Sequence, residues 1–495
     1  MLSQNDPVVI VGAGPAGLTA AYEIVKSGRR PLVFEKSDLV GGISRTETSQ
    51  GYRFDIGGHR FFTKEPEVQN LWLEVLGEDF LSVKRMSRIY YNDKFYQYPL
   101  EIGGTLRNLG VVESARIVLS YFKWRLKPFP REDTFDQWVI NRFGGRLFMR
   151  FFQVYTEKVW GIPCNKIQAE WAAQRIQGLS LFSVLRNAVT GGSKAKSLIK
   201  EFQYPVYGPG MMWEAFERAV QRLGGEVRTH ADVTAIHCDG GRVTGVTVSQ
   251  DGRSTRIDSD QVISSMPLSE LVEKLDPPPP AAVQNAARGL SYRDFLIVCL
   301  FVDQPILFPD NWIYIHSPDV RVGRIQNFKN WSPAMVPDPQ KTSLGMEYFC
   351  NEGDDLWMRD DDDLIQFARA EIDRLGLANA QDVFGGAVIR QLKAYPVYDG
   401  AYRENVDVIA RYLATLAGLQ TIGRNGLHRY NNQDHAMLTG LYAARNLFGG
   451  KYDLWSVNTE RSYHEDFTRE VGKDAISGSG GRDSVAPSPG FVAQR

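Results

Sequence analysis

The stretch Val8-Val9-Ile10-Val11-Gly12-Ala13-Gly14-Pro15-Ala16-Gly17-Leu18 decides the fold. Four consecutive apolar residues read as a buried strand, and the glycines that follow read as a tight turn opening a helix that continues to Val25. Gly12 allows the turn, Gly14 lets backbone amides approach a pyrophosphate, and Gly17 lets helix and strand pack closely. The helix N-terminus adds the positive end of its dipole. A second strand, Pro31–Phe34, ends in Glu35, where a carboxylate can accept hydrogen bonds from ribose hydroxyls. Strand, turn, helix, strand and acid in register predict a dinucleotide-binding α/β unit. The alternative is a glycine-rich turn with no ligand.

The rest of the composition fits a large globular chain. It has 495 residues, 43% hydrophobic and 23% charged. Lys and Arg total 57 against 58 Asp and Glu, a balance that argues against a protein that coats nucleic acid. Cys164, Cys238, Cys299 and Cys350 are scattered without metal-ligand spacing, which argues against a disulfide scaffold or zinc ribbon and fits a reducing compartment. No run approaches the ~20 apolar residues that span a bilayer, and Met1 leads through a polar hexamer into the first strand. The expectation is therefore a cytoplasmic protein without an integral membrane segment. Ten Trp and 21 Tyr suit either large cores or a site that stacks on flat ligands.

Further along, residues 66–200 read as largely helical. Ala231–Cys238 and Arg242–Ser249 alternate around Asp239-Gly240-Gly241, a hairpin signature. Val262–Ser265, Phe295–Val302 and Trp312–His316 read as strands, and Pro277–Pro280 as a stiff linker. Asp360–Asp363 precedes an amphipathic helix. The basic, aromatic segment Phe122–Arg131 could touch a membrane or a partner, with a solvated helix end as the favoured reading. The chain divides into a discontinuous dinucleotide domain (1–90, 200–270 and 410–476), a mainly helical domain (91–199), a sheet-containing substrate domain (271–409) and a disordered tail (477–495).

Three further motifs point to a flavin. Lys36 follows Glu35, and Gly41-Gly42-Ile43-Ser44-Arg45 places a diglycine and an arginine just after the second strand. This resembles the FAD-binding pattern of glutathione-reductase-like flavoproteins, especially the amine-oxidase-like group, in which the backbone near Val233 would meet the adenine. In Phe54-Asp55-Ile56-Gly57-Gly58-His59 the two glycines let the main chain lie against a ring system, and His59 could hydrogen-bond near its N5; a core or surface histidine is the alternative. Gly423-Arg424 and Asn432-Gln433-Asp434-His435 precede a helix whose N-terminus would favour an anionic reduced flavin.

In order along the chain, Gly57-Gly58-His59, Lys158–Pro163, Trp171-x-x-x-Arg175, Tyr314 with Arg324, Tyr395-Pro396, Gly423-Arg424 and Asn432–His435 resemble the UDP-galactopyranose mutases, closer to the eukaryotic-type sequences. The likeness runs with gaps from about residue 7 to about residue 470. It implies an α/β fold: a discontinuous Rossmann-like FAD domain of the glutathione-reductase type, a helical domain and a mixed-sheet domain. It implies a nucleotide diphosphate-sugar substrate, with Arg175 and Arg324 clamping the diphosphate and Tyr314, Tyr395 and Tyr430 bonding its oxygens. Phe151, Thr156 and Trp160 would lie beside the nucleotide, Phe151 on the base, and the His59 backbone would sense the flavin redox state. The chain departs from the pattern at Glu101, at Thr156 and in a shorter loop before Asn432, so a different base or sugar is open.

The resemblance further implies a non-redox reaction, relevant to cell-surface glycan biosynthesis, in which reduced FAD attacks the anomeric carbon through N5 and pyranose and furanose forms interconvert. NAD(P)H would serve only to reduce the flavin. No GxSxG or HExxH motif provides a competing nucleophile or metal site. A redox flavoprotein of the amine-oxidase or protoporphyrinogen-oxidase type explains the glycine motifs equally well. A noncatalytic binding protein is the third reading, and oligomeric state is open.

Overall fold

The computed structural model describes residues 7–98, 100, 102–169 and 200–458. Strand Val8–Val11 lies at the centre of a five-stranded parallel sheet, flanked by Pro31–Phe34 and Val262–Ser264, with Glu226–Arg228 and Leu419–Thr421 at the edges. Every residue of Val8–Val11 is buried. Helices cover both faces of such a sheet, which is why the run is continuously apolar instead of alternating. Helix Pro15–Lys26 packs on helix Gln433–Leu447 with backbones almost in contact: a Cβ on Gly440 would sit 2.3 Å from the Ala16 carbonyl oxygen. The sheet is thus assembled from both ends of the chain, as a discontinuous α/β domain.

The hairpin pairs Ala231–Asp239 with Arg242–Gln250. Gly240 and Gly241 both take positive φ (56° and 76°), the conformation a two-residue turn between twisted strands requires.

A seven-stranded mixed sheet faces this domain. Its order is Val383–Pro396, Tyr292–Val302, Thr342–Cys350, Arg324–Asn327, Trp312–Ile315, Ser87–Tyr91, Lys94–Gln97. The two-residue side-chain period splits the long strand Tyr292–Val302 between two cores. Phe295, Ile297, Cys299 and Phe301 join Phe148, Phe151 and Trp160 on one face. Leu296, Val298, Leu300 and Val302 pack on the other with Leu364, Ala368 and Ile372 of helix Asp361–Arg374. That helix starts where the acidic run predicts, with the Asp360 carboxylate accepting from the Asp363 amide at 2.8 Å.

The expectation of a helical span over 66–200 needs correcting. Helices occupy Pro66–Leu76, Ile102–Leu109, Val111–Leu126 and Phe135–Phe143, but Phe80–Lys84, Ser87–Tyr91 and Lys94–Gln97 are strands. Each is only four or five residues long, too short for a clear alternation; Phe80–Lys84 pairs far along the chain with Glu201–Pro205, while Ser87–Tyr91 and Lys94–Gln97 form a local hairpin that joins the large sheet through Trp312–Ile315. The boundary expected at residue 90 falls inside one of them. The Gly191–Lys196 interruption and the 477–495 tail lie outside the described residues. Among the described residues no helix is long and apolar enough to cross a membrane.

Candidate functional site

A cleft of about 580 Å³ runs along the C-terminal ends of the parallel strands and on to the seven-stranded sheet. This is where open α/β sheets place their ligands. At its first end Gly12 turns with φ 94°, and a Cβ there would stand 2.3 Å from Ser265 Oγ. A Cβ on Gly17 would come within 1.9 Å of the Gly12 carbonyl oxygen, so the helix can approach the strand only without a side chain. Gly14 and Gly42 face each other across the cleft; a Cβ on Gly14 would be 3.9 Å from Gly42 Cα, and one on Gly42 3.5 Å from Gly14 Cα.

Glu35 braces this turn. Its carboxylate accepts from the Ala13 amide at 2.8 Å and from the Ser37 amide and hydroxyl at 3.0 and 2.8 Å. A carboxylate has about four acceptor sites, so one remains for a ribose hydroxyl. Val233 lines the same end, as does Lys36, whose Nζ lies 3.7 Å from Glu270. Arg45 is less available to a phosphate than its sequence position promises. Its Nε pairs with Glu47 at 2.6 Å, and one Nη donates to Gly42 O and Gln391 Oε1. A glycine-walled gap, a helix N-terminus and a strand-end acid fit the pyrophosphate and ribose of a dinucleotide.

The opposite end holds Gly57, Gly58 and His59. Burial, with the charges of Arg424 and Arg324, pushes the His59 imidazole down to about 3, against a backbone hydrogen bond at Gly57. It is a neutral ring at physiological pH. Asn432 and His435 form a reciprocal cap on helix Gln433–Leu447, which leads Gln433 into the cleft with its Oε1 buried and unpartnered among the described residues. The Gly423 amide is already used, donating to Thr439 Oγ1 at 2.9 Å.

Strand register builds the next wall. Tyr314 lies opposite Arg324, and Arg324 lies opposite Glu347. Arg324 Nε donates to Glu347 Oε2 at 2.6 Å, and Gln326 Nε2 donates to the other carboxylate oxygen at 2.8 Å. Glu347 is wholly buried, and burial pushes its carboxyl up against the pull of Arg324 and Gln326. Burial opposes the charge on Arg324 too, yet Glu347 and the neighbouring phenols hold that guanidinium well above its ordinary range. Tyr395 and Tyr430 stack at 5.7 Å, with the Arg424 guanidinium 3.9 Å over Tyr430 and 5.0 Å over Tyr395. Burial, with Tyr430 close by, raises the Tyr395 phenol, which stays a hydrogen-bond donor.

The structure therefore brings Tyr314, Arg324, Tyr395, Arg424 and Tyr430 to one end of the cleft, beside His59. Phe151, Thr156 and Trp160 do not line it. Phe151 is buried against Tyr91 and Tyr96, Thr156 is buried, and Trp160 lies one layer behind, its ring 6.3 Å from Tyr430. Arg175, Trp171 and Glu101 lie outside the described residues. Sequence reading missed Glu347 and Gln326. The signal for the first was available, as a lone carboxylate in an otherwise uncharged strand, Thr342–Cys350. No group of three or more His, Cys, Asp or Glu able to hold a metal occurs among the described residues.

Comparison with known proteins places this geometry. A 15-cis-phytoene desaturase from Narcissus pseudonarcissus is 39% identical over 84 residues, 17% of this chain and 15% of the desaturase. Nicotine dehydrogenase from Pseudomonas putida is 26% identical over 265 residues, covering 52% of this chain and 51% of the dehydrogenase. The chain thus matches about half of the dehydrogenase and a smaller part of the desaturase. The structure of reduced UDP-galactopyranose mutase superposes with a TM-score of 0.80 at 20% identity, over 92% of this chain and 98% of the mutase, a likeness of fold. The family model for flavin containing amine oxidoreductases matches residues 15–447. That span runs from Pro15, just past the glycine turn, to Leu447 at the end of the helix after Asn432, and the chain belongs to the flavin-containing amine oxidoreductase family.

Proposed function

We propose that the protein is an FAD-dependent nucleotide-sugar mutase that interconverts pyranose and furanose forms. The observation that carries this reading is the wall of Arg324, Arg424, Tyr314, Tyr395 and Tyr430 facing the cleft. Two guanidiniums and three phenols are set against one buried carboxylate, Glu347, which leaves a net positive, donor-rich site. Such a site suits a diphosphate. It would repel an ammonium substrate, which weighs against amine oxidation despite the family's name.

In this reading the reduced flavin, when bound, supplies the nucleophile, so the chain need not provide one. The chain's own residues bind, orient and retain. Arg324 is held in one orientation by its ion pair with Glu347, and its remaining guanidinium nitrogens hold the departing diphosphate close to the sugar. Retention makes the return step effectively intramolecular. The three phenols donate to phosphate oxygens. His59, kept neutral by its burial and then by Arg424 and Arg324, can accept or donate one hydrogen bond without adding charge beside the flavin. FAD is favoured by the fit of the Gly14–Gly42 gap and Glu35 to an adenine dinucleotide, and NAD(P)H would serve as initial reductant.

The test is anaerobic. The purified protein is reduced with dithionite, given UDP-galactofuranose, and the nucleotide-sugars are separated by chromatography. Conversion to the pyranose by the reduced protein, absent from the oxidised protein and greatly reduced in Arg324→Lys, is the expected result. A second reading, a redox flavoprotein, is favoured by the nicotine dehydrogenase likeness. Bleaching of the oxidised flavin by a substrate, without isomerisation of any nucleotide-sugar, would establish it instead.

A further inference from the structure

Helix Val111–Leu126 buries only Ile117 and Tyr121. Its outer surface carries Val112, Ala115, Leu119, Phe122 and Leu126 at alternating spacings of three and four, which align them in one stripe about 21 Å long. All five are exposed, Leu119 at 69%, Phe122 at 52% and Leu126 at 83%. An apolar row this exposed on a charged surface marks an interaction face.

The charges beside the stripe have one sign. Arg116, Lys123, Arg125 and Lys127 are exposed along the helix and just past its end, with Arg131 shortly beyond. The helix holds a single acid, Glu113, and that carboxylate is taken up by Arg146 at 2.7 Å, Arg150 at 3.4 Å and Arg116 at 3.9 Å. The guanidiniums hold it below the usual carboxylate range. An ordered apolar row thus lies upstream of and through the basic residues of Phe122–Arg131, the segment whose sequence leaves a membrane or partner contact open.

We propose that this helix docks on an anionic lipid surface, lying in the interface with its stripe in the acyl boundary and its basic flanks at the headgroups. Apolar stripe and cationic flanks are the two components of interfacial helix binding, and each basic residue near an anionic bilayer strengthens partitioning about five-fold. A second copy of the chain is the poorer occupant. A two-fold contact along the stripe would set Arg116, Lys123, Arg125 and Lys127 against the same four cations.

The full chain is spun with sucrose-loaded vesicles of phosphatidylcholine alone or mixed with phosphatidylglycerol, at low and high salt. Binding to the mixed vesicles only, weakened by salt, is expected. Leu119→Glu with Phe122→Glu should weaken it on the order of ten-fold or more, while Ile306→Glu, a still more exposed apolar site elsewhere, should not. Retained flavin absorbance and thermal midpoint show that the variants are folded. Absence of vesicle binding, equal binding to neutral vesicles, or binding unchanged in the double variant overturns the proposal. So does a stripe that acts only in protein association, seen as an oligomer that the double variant dissolves without any vesicle binding in the parent.

Discussion

Arg324 and Glu347 sit opposite each other on neighbouring strands and close a 2.6 Å ion pair whose carboxylate is wholly buried. A buried pair contributes little net stability when intact, but removing one partner strands the other charge. Glu347→Gln should therefore lower unfolding free energy by about 3 kcal/mol, because the Arg324 guanidinium loses its counter-charge. Arg324→Lys keeps the charge and loses the fork, so the loss should appear in turnover, on the order of 100-fold, with little change in stability. Urea unfolding and steady-state kinetics separate the two effects.

Gly14 and Gly42 give a second test. Gly14→Ala puts its Cβ at ordinary van der Waals distance, 3.9 Å from Gly42 Cα, and should keep the flavin. Gly14→Val fills the gap with two methyl groups and should release it. Flavin absorbance per mole of protein is the readout, with circular dichroism expected to be unchanged.

Removing the Tyr395 or Tyr430 hydroxyl leaves the stacked rings and Arg424 in place. If the phenols donate to a diphosphate, Tyr395→Phe and Tyr430→Phe should each weaken UDP binding about ten-fold while flavin content stays constant, a hydrogen bond to a charged group being worth about 1.5 kcal/mol or more. Calorimetric titration of UDP checks this.

The pH dependence of stability has a sign that can be worked out. Burial holds the His316 and His428 imidazoles down at about 3 and about 4. Both protonate near 6.5 in the unfolded chain, so their contribution is full above that pH and falls as pH drops, by about 2 kcal/mol each at pH 5. Asp55 works in the opposite sense. Burial raises its carboxyl to about 7, against hydrogen bonds from Tyr204 and Thr46, so its contribution grows as pH falls from 7 toward 4. It offsets about 2 kcal/mol by pH 5. Asp55→Asn should thus steepen the loss of stability between pH 7 and 5, measured by urea unfolding at each pH.

How far the sequence was legible depends on whether the relevant partners were local. The glycine turn, Glu35 and the Gly240-Gly241 hairpin are local constructions, and each appears where its residues predict. The wall of Arg324, Tyr395 and Tyr430 came from ordered motifs and not from periodicity. Glu347 needed the register of two strands 23 positions apart in sequence. Phe80–Lys84 escaped for a related reason, since it pairs with Glu201–Pro205, whereas the hairpin of Ser87–Tyr91 with Lys94–Gln97 is local and was missed because its strands are too short to show a period.

The contact between Ala16 and Gly440 sets a timetable for synthesis. The glycine turn leaves the ribosome long before its covering helix and the strand Leu419–Thr421, which lie far downstream of it. Until they arrive, Val262–Ser264 is an unpaired edge and the cleft lacks the wall carrying Gly423, Arg424 and Gln433. A nascent chain therefore waits with its oldest strand half covered, a state prone to association with its neighbours. Flavin loading therefore waits for residues 419–447, and a message truncated before residue 419 would yield a polypeptide unable to retain the cofactor.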